Sequence, residues 1–417
     1  MIASDPLGWL GEENNADYGA RLPTLLKVLG IGEPLSLQAH PSTAQAEAGL
    51  AREDALGIDR AAPHRSYRDD RAKPEMICAL TDMDVLCGFR DLAESQALLR
   101  TVGGPLLPFA EQLRRPEDLP GIVGGLLSLD RAGQYRVVAA ITDALAFLPR
   151  YVSEVVGKIA DRYPDDAGVA VALLLNATSL EPGDALYLPA GNLHAYLRGL
   201  GVEVMASSDN VLRGGLTPKH VDVPELVKTL GPVTGPWPMT VAAADPAHPG
   251  VEFYRSPSPE VGLARIALTG PSIDVPVTEG PTLLLVTDGT IRLESADRQL
   301  SLSSGQAAYG MPCSHVRVSG NGVDWVSQLW TRAEANALQC AFHAARAVHI
   351  FHPLCTDIDR SVVGIGCCHR AMSVRKISQL GPGSYRAVGR RTGRSTDRMG
   401  MTRCASRWCG GVVGGIG

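Results

Sequence analysis

Residues able to bind a metal recur here at short, defined spacings. Gln38 and His40 flank one alanine, and His194 closes the pattern Gly183-x5-Pro189-x-Gly191-x2-His194. Residues i and i+2 on a strand face the same way, so Gln38 and His40 are expected to converge. Pro182-Gly183-Asp184 and Pro189-Ala190-Gly191 are turn signals. Ala185 to Leu188 between them reads as a short strand, which puts His194 at the start of the next one, aimed at whatever the sheet encloses. Glu75, in Lys73-Pro74-Glu75-Met76, is the third candidate. A lone strand histidine is more often structural, but His40 and His194 sit in two independent motifs. Two imidazoles, a carboxylate and an amide oxygen suit a divalent ion of the zinc type, with room for a water or substrate.

The two patterns resemble the paired motifs of the cupin barrel. Gln38 stands where the first motif has a histidine, and Arg198 where the second has an asparagine. Three ordered blocks narrow the resemblance: Leu26 to Pro41 (with Glu-Pro-Leu-Ser-Leu-Gln-Ala-His-Pro), Lys73 to Met76, and Ala206 to Lys219 (Ala-Ser-Ser-Asp-Asn-Val-Leu-Arg-Gly-Gly-Leu-Thr-Pro-Lys). Together they resemble the type I mannose-6-phosphate isomerase (phosphomannose isomerase) family over roughly residues 1 to 330. The resemblance implies one zinc ion per chain held by Gln38, His40, Glu75 and His194. It implies interconversion of mannose 6-phosphate and fructose 6-phosphate through an enediol, feeding GDP-mannose synthesis.

Moving a proton between C1 and C2 of a sugar needs a base, a way to spread charge over the oxygens, and a hold on the phosphate. Arg213 matches the position usually assigned as catalytic in that family, beside Gly214-Gly215, and a guanidinium forks onto either an enediolate or a phosphate. Lys219 is a second phosphate candidate. Ser36, two residues before Gln38, is expected to share its strand face and touch phosphate or sugar. Glu203 is a proton-transfer candidate or a simple ion-pair partner. Lys73 is two residues from a ligand. Spacing leaves the base open among Glu203, Lys73 and a metal-bound water.

The elements that must position these groups read as mainly β with a helical insertion. The expected architecture is a cupin (jelly-roll) barrel, a second smaller β-barrel and an inserted α-helical domain. Residues 1–90 open the catalytic barrel, 91–166 are the insertion, 167–230 complete the barrel, and 231–330 form a second cupin-like β domain without metal. Strands are expected over Leu25–Leu29, Leu35–Ala39, Met76–Leu80, Asp84–Phe89 and Val169–Leu175, with later ones at Leu283–Val286, Thr290–Glu294 and Val316–Val318. Ser42 with Gln45 three residues on is a capping box for a helix from Thr43 to about Leu56. Val138, Ile141, Leu145 and Leu148, then Val152, Val155, Val156 and Ile159, keep helical spacing. Asp5 to Gly11 resembles a segment well inside the family, so its opening strands are expected to be missing.

Of 417 residues, 45% are hydrophobic and 20% charged, ordinary for a globular protein. No apolar run is long enough to span a bilayer and no signal peptide is visible, which gives a cytoplasmic expectation. Net charge is −5 but uneven. From 331 onward thirteen basic residues oppose four acids, a net +9 that leaves −14 for the rest. Six of the nine cysteines lie there too. Twelve of the thirteen bases are arginine, without aromatic interleaving, so the tail reads as disordered or frameshift-derived rather than as a nucleic-acid arm. The expected partner is a small sugar phosphate, with no nucleic acid or membrane and a monomeric chain. Two other readings are a degenerate, non-catalytic sugar-phosphate-binding cupin and a redox-metal cupin; the Gln ligand and the lack of His-x-His oppose the latter.

Overall fold

The computed structural model describes residues 1–328 apart from 270–271, 276–279, 296–297 and 313–314. The expectations for 331–417 lie outside the described residues. The first β unit contains β1 (Thr24–Ile31), β2 (Gln38–Ala39), β3 (Glu75–Ala79), β4 (Met83–Phe89), β5 (Leu175–Leu180), β6 (Ala185–Leu188), β7 (His194–Ala206) and β8 (Leu212–Arg213). Strand β7 serves two sheets. Its first part pairs with β4 and β2, and its second with β1 and β3. The chain changes sheets at Gly199, whose φ is +112° and whose added Cβ would lie 2.7 Å from the carbonyl oxygen of Asp82. Only glycine meets both demands.

Alternation along the strands sorts their side chains between two environments. In the sheet of β5, β4, β7, β2 and β8, Leu37, Ala39, Leu86, Ala195, Leu197 and Leu212 pack into a large core shared with helices. Their neighbours Gln38, Cys87, His194 and Arg213 are paired in register across four strands and share the opposite face. In the other sheet, Met76, Cys78, Val202 and Val204 pack outward against Tyr254, Leu263 and Trp325 of the second β unit. Ile77 and Glu203, paired in register, face the space between the sheets. The layers therefore run helices, sheet, interior, sheet, second β unit.

Helices α1 (Pro6–Leu10) and α2 (Glu12–Tyr18) precede β1, and α3 (Thr43–Ala55) follows β2. Both halves of the Ser42/Gln45 capping box form at the start of α3. The helical layer holds α4 (Leu92–Val102), α5 (Leu107–Gln112), α6 (Leu119–Leu127), α7 (Arg131–Ala144), α8 (Arg150–Arg162) and α9 (Gly168–Leu173). On α8 the buried stripe is Val152, Val155, Val156 and Ile159. Helix α10 (Val223–Thr229) follows β8.

The structure corrects several expected elements. Val169–Leu175 is not a strand: α9 is helical and buried on every face, and β5 begins only at Leu175. An apolar run buried all round carries no period to tell helix from strand. The strand expected over Leu35–Ala39 shrinks to Gln38–Ala39, although Leu35 and Leu37 still donate backbone N–H groups to Tyr196 and Gly215. Leu283–Val286 and Thr290–Glu294 are one strand with a register shift at Val286/Asp288.

The second β unit is built from β9 (Ala243–Ala244), β10 (Val251–Tyr254), β11 (Gly262–Leu268), β12 (Ile273–Val275), β13 (Thr282–Glu294), β14 (Gln299–Ser303), β15 (Ala307–Gly310) and β16 (Val316–Gln328). It has its own apolar core, including Ile266, Leu284, Val286, Ile291 and Val326. No helix among the described residues is long and apolar enough to cross a membrane.

Candidate metal centre and active site

His40, Glu75 and His194 meet in the interior, each at most 1% exposed, with their ligand atoms all within 4.8 Å of one another. His40 arrives from the end of β2, Glu75 from the start of β3 and His194 from the start of β7. Nε2 of His40 is 3.4 Å from Oε1 of Glu75, and Nε2 of His194 is 3.5 Å from Oε2. Each imidazole is oriented from behind. Nδ1 of His40 is 2.7 Å from the carbonyl of Asn210, and Nδ1 of His194 is 3.2 Å from that of Asn192. Donation from Nδ1 leaves an Nε2 lone pair facing the carboxylate. Burial lowers the His40 pKa below its ordinary value despite Glu75, which favours the neutral ring. Nε2 of His40 and Oε2 of Glu75 are buried without a hydrogen-bond partner among the described residues. Lone pairs converging on a carboxylate suit a cation seated among them.

Gln38 completes the ring. Its amide nitrogen is 3.2 Å from Nε2 of His194. A half-turn of the amide exchanges nitrogen for oxygen, so it can present an oxygen donor at the same place.

Around this cluster stand charged groups. Nζ of Lys73 is 2.8 Å from Oε1 of Glu75. Burial works against the Lys73 ammonium, but Glu75 and Glu203 outweigh it and raise its pKa. Burial likewise opposes ionisation of Glu75, yet His40, His194 and Lys73 hold its carboxyl well below the usual range. Glu203 is 5% exposed and is pushed up to about 8, by burial first and the charge of Glu75 second. It lies on β7, and Oε1 accepts the Tyr196 hydroxyl at 3.0 Å. Residues seven apart on a regular strand face opposite ways. The register slip between Tyr196 and Arg198 restores the match.

Arg213 projects from β8 on the same face as Gln38, half-buried, with no hydrogen bond or ion pair among the described residues. Burial and the neighbouring charge of Arg68 lower its pKa. Ser36 is half-buried and Lys219 exposed, and neither side chain bonds to the cluster. The departure at position 198 is structural: Arg198 pairs with Asp84 on β4.

Two neighbours escaped the sequence reading. Tyr196, two residues after His194 and 5.9 Å from its ring, could have been found by strand alternation. Lys27 on β1 pairs in register with Glu203, and its charge counteracts the upward shift of that carboxyl. Nothing local to Lys27 signals a partner 176 residues away.

Facing sheets around two buried imidazoles, a buried carboxylate and a half-buried amide define a cupin with a candidate metal centre. Residues 1–92 match the family model of the phosphomannose isomerase type I catalytic domain. The chain is 35% identical over 326 residues to the mannose-6-phosphate isomerase of Escherichia coli K12, covering 77% of this chain and 82% of that protein. It is 31% identical to the Bos taurus mannose-6-phosphate isomerase, covering 70% and 73%. A crystal structure of zinc-bound mannose 6-phosphate isomerase superposes with a TM-score of 0.72 at 31% identity, covering 79% of this chain and 84% of that one. A lysine-to-alanine variant of the Salmonella typhimurium phosphomannose isomerase gives 0.73 with the same coverage. The chain belongs to the type I mannose-6-phosphate isomerase family.

Proposed function

We propose that this chain interconverts mannose 6-phosphate and fructose 6-phosphate, with zinc held by Gln38, His40, Glu75 and His194. The observation that carries the reading is the buried cluster, with Nε2 of His40 and Oε2 of Glu75 unpartnered, inside a member of this family. When bound, a divalent metal neutralises charge that builds on the sugar oxygens.

The chain's own groups supply the rest. Isomerisation takes a proton from C2 of the aldose to a base and returns it to C1, while a hydroxyl proton leaves O2 and one is gained at O1. Glu203 is assigned as that base and acid. It is buried beside the cluster, Tyr196 fixes one of its oxygens, and its pKa near neutrality suits giving and taking a proton. Lys73 is assigned to the electrostatic hold on the sugar oxygens. Arg213, without a side-chain hydrogen bond or ion pair among the described residues, stabilises the enediolate or grips the phosphate, with Lys219 and Ser36 as further phosphate contacts. The ligand set is complete within one chain, which supports a monomer, and a sugar-phosphate substrate supports the cytoplasm.

A coupled assay tests the reading. Zinc-loaded protein given mannose 6-phosphate should produce fructose 6-phosphate. Stoichiometric zinc and sugar-phosphate binding without turnover would instead establish the non-catalytic cupin.

A further inference from the structure

Asn210 touches none of the reacting groups, yet two parts of the site meet on it. It is fully buried and lies in the loop between β7 and β8. Its main-chain carbonyl accepts the Nδ1–H of His40 at 2.7 Å. Its side-chain oxygen accepts the backbone N–H groups of Arg68 at 2.7 Å and Asp69 at 3.2 Å. Its side-chain nitrogen donates to the carbonyls of Asp69 at 2.9 Å and Arg71 at 2.8 Å, and to Oδ1 of Asp69 at 3.2 Å. Every donor and acceptor of that amide is engaged. Asp69 answers from the other side, its Oδ2 accepting the backbone N–H of Asp209 at 2.8 Å. The clamped segment runs directly into Lys73 and Glu75.

We infer that Asn210 is a positioning residue that locks the His40 imidazole and the Arg68–Lys73 segment into one rigid unit, so that metal affinity and turnover both depend on it. A carbonyl behind a ligating imidazole fixes the tautomer and aim of the ring, and disturbing such partners typically costs about 10–100-fold in metal affinity. Here the residue supplying that carbonyl is itself held, among the described residues, by its side chain's grip on the loop and by Ser208, whose Oγ accepts its backbone N–H at 3.2 Å. This inference rests on the zinc isomerase reading and adds a residue to it.

The test is titration of zinc, and separately of cobalt(II), into metal-free wild type, Asn210→Ala, Asp69→Ala and Ser256→Ala. Asn210→Ala keeps the carbonyl but releases the loop. Asp69→Ala breaks the same clamp from its half-buried side and decides the matter if Asn210→Ala fails to fold. Ser256→Ala removes a buried hydroxyl that makes three hydrogen bonds in the second β unit, and so reports what lost stability alone does. The expected result is a zinc dissociation constant raised about 10–100-fold and a shifted cobalt visible spectrum in both clamp variants, with the Ser256→Ala values unchanged from wild type. Clamp variants with wild-type zinc affinity and cobalt spectrum would overturn the inference while leaving the isomerase reading intact. A wild-type chain that binds no zinc would overturn both.

Discussion

Nζ of Lys73 lies 2.8 Å from Oε1 of Glu75, while the other oxygen of that carboxylate faces His194. One carboxylate thus links the Lys73 ammonium to both imidazoles, since Oε1 also lies 3.4 Å from Nε2 of His40. An ammonium beside a metal seat repels the ion, so its purpose is not ligation. Lys73→Met is expected to bind zinc at least as tightly as wild type and to lose about 10²–10³-fold in kcat. Zinc titration and the coupled assay on the same sample check this. Weaker zinc binding in the variant would mean that Lys73 serves only to hold Glu75.

Glu203 is the group whose surroundings best fit proton transfer. Glu203→Gln keeps the shape and can still accept the Tyr196 hydroxyl, but it cannot carry a proton between carbons. A fall of about 10²–10⁴-fold in kcat is expected, with zinc stoichiometry and melting temperature close to wild type. Exchange of the substrate's C2 proton with solvent, followed by NMR, should vanish in parallel. Undiminished exchange in Glu203→Gln would assign the base elsewhere.

Asp324 on β16 is fully buried among Ile266 and Val286 of adjoining strands, and neither of its oxygens has a well-formed hydrogen bond among the described residues. Burial holds its carboxyl well above the ordinary range, which the nearby amides of Trp325 and Leu285 soften only in part. The folded chain therefore binds this proton more tightly than the unfolded chain. Stability is lost as pH rises past the unfolded carboxylate pKa of about 4, up to the folded value. Asp324→Val should raise the unfolding free energy at pH 7 by about 1–3 kcal/mol, with a smaller gain at pH 4. Denaturant melts at the two pH values decide it. A variant less stable than wild type at pH 7 would show that Asp324 has a stabilising role.

The parts of this molecule legible in the sequence are those whose chemistry is local. The turn glycines and prolines around Ala185–Leu188 fix where β6 ends and His194 begins, and the Ser42/Gln45 capping box announces α3 within four residues. The structure also brings Gln38, His40, Glu75 and His194 together, because each lies at a strand terminus facing the interior. What stayed illegible depends on pairing between distant segments. Lys27 gains meaning only through its register with Glu203, and Asn210 only through the loop that folds over it. Tyr196 and Glu203 meet because of a register slip that no residue type advertises. Helix α9 is illegible because full burial erases the amphipathic period.

Four side chains, from three strands and one strand end, are placed to hold a single metal ion. Calorimetric titration of zinc into the metal-free protein tests that directly, alongside Glu75→Ala and His194→Ala. One zinc per wild-type chain is predicted, with stabilisation on binding of about 4 kcal/mol at a free zinc concentration a thousandfold above the dissociation constant, and loss of that site in both variants. Stoichiometric zinc binding that survives in Glu75→Ala and His194→Ala would contradict it.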